Sequence, residues 1–245
     1  MMKSFLSTTL DFAFPWACGL CGTGDTKLRS GAFCCDCQQQ LTRPIENSCQ
    51  RCAAEVGRFV ATSDGCVHCR KSRLKFDSVT CLGMYDEAMR RVILSSKWSF
   101  SAVGITALAQ LFASAAGDRL KQLDVDLIVP IPQSWQKRIV RRFNSAQVVS
   151  EVLSKTINVP HDVHILRRRR NVRPQKRVPV QQRMQNQQDA FRIRDAHLLA
   201  GKRILVVDDV MTTGATCNEA VRMLRSHGAK ACHVAILARV LDGSA

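Results

Sequence analysis

The chain has few aromatic side chains, fewer acidic than basic groups and no long apolar run. Aromatic residues make up 6% of the 245 residues and include a single tyrosine, which argues against a broad platform for stacking nucleic-acid bases. The apolar stretch 103–116 contains Thr, Gln and Ser and is too short to cross a bilayer. Residues 1–12 lack the long apolar core and cleavage site of a signal peptide. These absences predict a cytoplasmic protein that is not an integral membrane protein.

Positive charge is in excess, with 36 Lys and Arg against 20 Asp and Glu and a net charge of +16. Residues 137–194 hold fifteen basic and three acidic residues, a net +12, so the rest of the chain contributes only +4. A segment this basic attracts phosphates, either those of one small substrate or those of a polyanion such as single-stranded DNA. The alternative is that residues 137–194 form a solvated surface loop. The run Arg167–Arg170 argues against this interpretation for the segment as a whole.

Cysteine is abundant, and nine of the twelve cysteines precede residue 70. Without an export signal they are expected to bind metal rather than to form disulfides. Two Cys-x-x-Cys turns complete one tetrahedral Cys₄ shell, so four such pairs predict two structural zinc ions. We favour sequential sites, 18/21/34/37 and 49/52/66/69, with an interleaved cross-brace as the alternative. The pairs are Cys18/Cys21, Cys34/Cys37, Cys49/Cys52 and Cys66/Cys69.

The predicted zinc module spans residues 1–72 and has few large apolar residues, so it could hardly fold without metal. A closed Cys₄ shell has no open coordination position, which predicts a structural or partner-binding role rather than zinc catalysis. Cys35 is expected to be a bystander, and His68 is an exposed turn residue or, alternatively, a replacement ligand. Small buried thiols rather than catalytic ones are expected at Cys81, Cys217 and Cys232.

Strands and helices are predicted to alternate over residues 73–245, which form a second domain. This order predicts an α/β fold with a parallel sheet, right-handed crossovers and helices on both faces. Gly117 and Gly228 are expected to end helices, and 168–188 is expected to form a long functional loop. The predicted strands are 76–85, 127–129, 164–166, 204–207 and 232–237, and the predicted helices are 86–97, 105–116, 146–157 and 218–227.

Residues 204–216 carry the most informative pattern, a buried strand followed by two carboxylates and a Thr/Gly loop that enters a helix. Ligands of open α/β sheets bind beyond the carboxyl ends of the strands, and a helix N-terminus attracts phosphate. Paired carboxylates can hold sugar hydroxyls and hydrated Mg²⁺. Acidic residues that merely cap a helix would explain the Asp pair alone, but the whole segment favours a sugar-phosphate site. Its candidate residues are Asp208, Asp209, Thr212, Thr213, Gly214, Ala215 and Thr216.

This segment resembles the 5-phosphoribosyl 1-pyrophosphate (PRPP) signature of type I phosphoribosyltransferases. The resemblance implies that Asp208 and Asp209 contact the ribose and, through water, Mg²⁺, while Thr212–Thr216 wrap the 5′-phosphate. In such folds pyrophosphate leaves ribose C1 through a transition state with oxocarbenium character. The protein must then neutralise the leaving group, orient the reactants and exclude water.

Almost the full length of the chain resembles the ComF family, with four Cys-x-x-Cys pairs ahead of a type I phosphoribosyltransferase-like domain. The family's Pro-x-Pro appears at Pro130 and Pro132, and its Arg-Gly-Phe-Asn appears at 141–144 with Arg142 in place of Gly. The resemblance suggests that Pro130, Pro132, Arg141 and Asn144 face the pyrophosphate and that Arg183 is a catalytic lid residue. A further matching series is Leu166, Arg168, Gln175, Arg183, Asn186, Ala190 and Phe191.

No segment indicates a hood that reads a nucleobase, and this leaves several functions open. The ComF resemblance implies a role in DNA uptake during natural transformation, with binding of PRPP, Mg²⁺ and single-stranded DNA. Its partners would be a competence helicase or an inner-membrane translocation protein, which leaves a peripheral position at the inner membrane open. The alternative is an active phosphoribosyltransferase of nucleotide or nucleoside metabolism with an unknown acceptor. A third interpretation is a scaffold whose zinc module docks a partner.

Overall fold

The computed structural model describes residues 17–24, 32–43, 45, 47–62, 65–72, 74–98, 101–133, 143–169 and 190–241. Within these ranges a cysteine-rich part contains one short helix, α1 (Cys35–Leu41), and an α/β part follows it. None of the helices in these ranges combines the length and the apolar character that crossing a membrane requires.

A four-stranded sheet forms the centre of the α/β part. Its strands lie in the order β1-β6-β5-β2, and every neighbouring pair is parallel. The predicted parallel α/β sheet is therefore confirmed. A separate antiparallel pair is formed by β3 and β4. The strands are β1 (Ser78–Met84), β2 (Leu127–Pro130), β3 (Leu166–Arg168), β4 (Phe191–Ile193), β5 (Arg203–Met211) and β6 (Ala231–Arg239).

Helices cover both faces of the sheet because alternate residues of each strand point to opposite sides. Leu205 and Val207 pack with α2, α3 and α4. Ile204 and Val206 share the other core with α5. The helices are α2 (Glu87–Trp98), α3 (Val103–Lys121), α4 (Ser145–Ile157) and α5 (Ala215–Ser226), and a 3-10 turn spans Ala196–Leu199.

The two groups of cysteines lie against opposite faces of this sheet. Cys18 and Cys37 belong to the core that includes α2–α4. Cys49, Cys52 and their neighbours belong to the core that includes α5. This second core contains residues from both sides of the predicted boundary between residues 72 and 73. The division into two domains therefore stays a prediction.

Several predicted element ends differ from the structure, and two of these differences have a clear physical reason. Gly117 does not end its helix, since α3 continues to Lys121. A Cβ at Gly117 would lie 3.4 Å from Thr156 Cγ2, so the missing side chain lets α3 approach α4. Strand β5 does not end at Val207, because its pairing with β6 continues to Met211 opposite Arg239. The acidic pair therefore lies inside the last part of the strand.

Candidate functional site

Asp208 and Asp209 are half-buried near the carboxyl end of β5. Asp208 Oδ1 accepts a hydrogen bond from the backbone N–H of Asp209 at 2.9 Å, and Asp209 Oδ1 accepts one from Val210 at 2.9 Å. Each carboxylate is thus held by the next peptide of its own strand, and carboxylate oxygens are of the kind that bind a hydroxyl or a hydrated cation.

The Thr212–Thr216 segment continues directly into α5. Gly214 precedes the first helical residue, Ala215, with a left-handed backbone at φ 76°. A Cβ at Gly214 would make ordinary contacts, 3.4 Å from Met211 Sδ and 3.6 Å from Phe76 Cζ, so the backbone conformation rather than the space favours glycine. With Asp208, this segment lines a small cavity of about 30 Å³. The Asp208 carboxylate and the start of a helix thus line one concave surface, and a helix N-terminus favours a phosphate there.

The Pro130–Pro132 turn lies beside the end of β5, because the backbone N–H of Ile131 donates to Val207 O at 2.8 Å. Asn144 is fixed to this turn, since its Nδ2 donates to Ile131 O at 3.0 Å. Its Oδ1 also caps α4 by accepting from Ala146 N at 3.2 Å. The structure therefore brings Pro130, Pro132 and Asn144 together beside Val207, the residue before the acidic pair. Arg141, Arg142 and Arg183 lie outside the described residues.

Arg168 is a further candidate residue, near Asp208, that sequence reasoning did not include among the site candidates. It ends β3 opposite Phe191, with its guanidinium carbon 5.4 Å from the ring centroid. Burial lowers the pKa of Arg168, and the nearby Asp208 carboxylate opposes that change. Arg168 stays a cation close to Asp208, which suits a polyanionic ligand. The feature of the sequence that could have identified Arg168 is its match to the arginine of the ComF Leu-x-Arg series.

Cys217 directly follows the Thr212–Thr216 segment, which we call the phosphate loop after its predicted ligand, and its thiol is buried. Its Sγ lies 3.9 Å from Asp208 Oδ2, and burial, followed by the Asp208 and Asp209 charges, raises the pKa of the thiol. Burial likewise raises the pKa of Cys81 and that of Cys232 to about 12. These three thiols therefore stay protonated at neutral pH. Cys217 and Cys232 are buried as expected, whereas Cys81 is half-buried.

The eight paired cysteines form the two sequential groups. We call Cys18, Cys21, Cys34 and Cys37 the first cluster and Cys49, Cys52, Cys66 and Cys69 the second cluster. In each cluster the four Sγ atoms lie within 4.8 Å of one another. Individual Sγ–Sγ distances are 3.7 Å in the first cluster and 3.6, 3.8 and 3.9 Å in the second.

These distances match a tetrahedral zinc site. Four sulfurs at a Zn–S bond length of about 2.3 Å are separated by about 3.8 Å along each edge of the tetrahedron. Cys35 and His68 are exposed and belong to neither cluster, as expected. Both clusters could therefore hold a metal ion through sulfur alone.

Comparisons with known proteins agree with this geometry. The phosphoribosyl transferase domain family matches residues 143–244. Competence protein F of Haemophilus influenzae is 28% identical over 92% of this chain and 98% of that protein. DNA utilization protein YhgH of Escherichia coli (strain K12) is 34% identical over 47% of this chain and 50% of that protein.

Among solved structures, a purine phosphoribosyltransferase from Pyrococcus horikoshii Ot3 aligns with 54% of this chain and 73% of that chain. The identity is 20% and the TM-score is 0.36. The full-length relative, the matched domain family and the paired clusters confirm the resemblance stated above. The chain is thus similar over almost its full length to competence protein F, and two four-cysteine clusters accompany its phosphoribosyltransferase-like α/β fold.

Proposed function

We propose that this protein binds PRPP with Mg²⁺ and handles single-stranded DNA during its uptake in natural transformation. The observation that carries the PRPP site is the continuity of Asp208 and Asp209 with a left-handed Gly214 and the start of α5. The names of the two sequence relatives, which concern competence and DNA utilization, support the DNA role.

In the proposed complex Asp208 and Asp209 accept hydrogen bonds from the ribose hydroxyls. Thr212–Thr216 hold the 5′-phosphate, because first-turn N–H groups lack intrahelical partners and the helix dipole favours an anion. The Pro130–Pro132 turn, Asn144, Arg141 and Arg168 face the pyrophosphate, and Arg183 closes over it. Mg²⁺, when bound, supplies positive charge to the phosphates through hard oxygen ligands.

The DNA proposal rests on the β3–β4 pair. Five arginines lie on or directly beside these two short strands, and they are the described arginines of the basic segment. Phosphates bind such a surface without regard to sequence, and counterion release makes the affinity depend on salt. The five are Arg167, Arg168, Arg169, Arg192 and Arg194.

Calorimetry tests the PRPP site. We expect Mg²⁺-dependent PRPP binding by the full chain and a loss of at least about tenfold in affinity for Asp208→Asn combined with Asp209→Asn. Asp118→Asn on the exposed part of α3 is the matched control and should bind PRPP as the unchanged protein does. Unchanged PRPP affinity in the double variant would overturn the assignment.

Fluorescence anisotropy tests the DNA surface. Arg167→Glu combined with Arg192→Glu should weaken binding of a labelled single-stranded oligonucleotide and flatten its salt dependence. Arg119→Glu combined with Lys121→Glu at the end of α3 makes the same charge change on the α2–α4 side of the sheet and should have little effect. Equal losses in the two double variants would show that net charge, rather than this surface, attracts DNA.

Pyrophosphate release separates binding from turnover. A screen of PRPP with single-stranded DNA, nucleobases and amines should release no pyrophosphate above background if PRPP is a bound or regulatory ligand. Release with one acceptor would favour the active phosphoribosyltransferase instead.

We further propose a cytoplasmic protein whose partly exposed first cluster contacts a helicase or translocation partner at the inner membrane. Capture of such a partner by the unchanged chain but not by Cys21→Ser would support this contact, and equal capture would contradict it.

A further inference from the structure

Arg239, the last residue of β6, has a buried side chain that is 5% exposed. Its Nε donates to Cys52 O at 3.0 Å, and its Nη1 donates to Met211 O at 3.1 Å. Nη1 also contacts the carbonyl oxygens of Thr212 and Val240. One guanidinium therefore joins a turn that carries a ligand of the second cluster to the start of the phosphate loop.

Carbonyl groups satisfy the hydrogen bonds of a buried guanidinium but do not neutralise its charge. A shell of four thiolates around one Zn²⁺ carries a net charge of −2. All four cysteines of the second cluster are buried, so such a shell also needs a positive charge nearby. Arg239 and the second cluster thus suit each other electrostatically, in addition to sharing the Cys52 peptide.

The turn that presents Cys52 O is held from within the second cluster. Ala53 N donates to Cys49 O at 2.7 Å, and Cys49 N donates to Ala54 O at 2.8 Å. Metal bound by Cys49 and Cys52 fixes this turn and hence the acceptor of Arg239 Nε. Among the described residues, no hydrogen bond joins the segments of the first cluster to residues 211–216.

We propose that Arg239 is a positioning residue through which metal in the second cluster orders the phosphate loop. Loss of that metal frees the Cys52 peptide, removes the compensating negative charge and leaves Arg239 to shift away from Met211 and Thr212. Anion binding at Thr212–Thr216 then weakens. This inference rests on the proposed PRPP site for its ligand, but the ordering of the loop is measurable without PRPP.

Hydrogen exchange and calorimetry on the full chain test the proposal together with zinc analysis. Cys52→Ser should lose one zinc, accelerate exchange of the 211–216 amides by about tenfold and weaken PRPP binding by about tenfold. Cys21→Ser should lose the other zinc and leave both quantities within about twofold. Equal effects of the two serine variants on the 211–216 amides would overturn the coupling.

Arg239 itself is tested by Arg239→Met and Arg239→Lys. The Met variant should retain both zinc ions and weaken PRPP binding by about tenfold, while Lys restores part of the affinity because it keeps the charge and a single donor group. Cys52→Ser added to Arg239→Met should weaken PRPP binding little further, since both act through one contact. Additive losses would contradict the proposal. If the unchanged chain binds no PRPP, the proposed function fails, and the exchange rates alone decide the coupling.

Discussion

The two cysteine clusters share the ligand set and the Cys-x-x-Cys spacing but differ in surroundings. In the first cluster Cys21 is exposed and Cys34 is partly exposed, and Cys18 and Cys37 pack on the α2–α4 face. In the second cluster all four cysteines are buried and share a core with α5. The same set of ligands therefore lies near the protein surface in the first cluster. In the second cluster it lies in the core that also includes α5, the helix that follows the phosphate loop.

This difference predicts that loss of metal destabilises the protein more at the second cluster than at the first. The core that includes the second cluster also includes Phe76, residues of the sheet and Phe191 of the β3–β4 pair, so loosening the cluster disturbs a shared core. The first cluster contributes two of its four cysteines, Cys18 and Cys37, to its core. Local opening is cheaper where fewer buried contacts are lost.

Replacing one ligand in each cluster gives the largest expected difference. Cys66→Ser removes a fully buried sulfur, and we expect it to lower the free energy of unfolding by at least about 4 kcal/mol because metal binding is folding energy at such sites. Cys21→Ser in the exposed shell should cost about 1–2 kcal/mol. Urea denaturation with zinc analysis measures both. Equal losses of unfolding free energy in the two variants would contradict the difference and show that both clusters stabilise the protein to the same extent.

A glycine beside each cluster sharpens the comparison without touching a ligand. Gly65 adopts φ 91°, and a Cβ there would lie 2.8 Å from Cys69 Sγ, so Gly65→Ala should both strain the backbone and displace a ligand. We expect a loss of about 2–3 kcal/mol and weaker zinc retention against a chelator. Gly22 has φ 75° with nothing within 4 Å of a Cβ, so Gly22→Ala should cost only about 1 kcal/mol. Chelator kinetics that change equally would contradict the difference.

What the sequence made predictable is largely local. The Cys-x-x-Cys pairs and the 204–216 segment each bring their candidate ligands together within a few residues, so spacing alone indicated them. Three features depend on distant partners instead: the extension of β5, the packing role of Gly117 against Thr156 and the contacts of Arg239 with Cys52. Burial of one cluster and exposure of the other is also a tertiary property, because their motifs are the same.

Ion pairs on the two faces give a smaller contrast. Asp77 accepts from Arg225 Nη2 at 2.7 Å on both oxygens and from Cys232 N at 2.8 Å, which ties the start of β1 to α5 and β6. Asp77→Asn keeps an acceptor for Cys232 N but loses the ion pair, so it should cost about 1 kcal/mol. Asp118→Asn removes an exposed pair with Lys121 on α3 and should be neutral. Thermal unfolding in low and high salt checks both, and a salt-insensitive Asp77→Asn difference would argue against the ion pair.

Cys35→Ser and His68→Ala are expected to have the smallest effects. Both side chains are exposed, each is next to a ligand in the chain, and neither lies among the four sulfurs of a cluster. Zinc content should stay at two per chain, and the unfolding free energy should change by less than about 0.5 kcal/mol. A thiol reagent should modify Cys35 without releasing zinc. If Cys35→Ser loses zinc and His68→Ala does not, Cys35 takes part as a ligand in the partly exposed first cluster. If His68→Ala loses zinc too, the second cluster is as open to ligand exchange as the first, which contradicts the difference between the clusters.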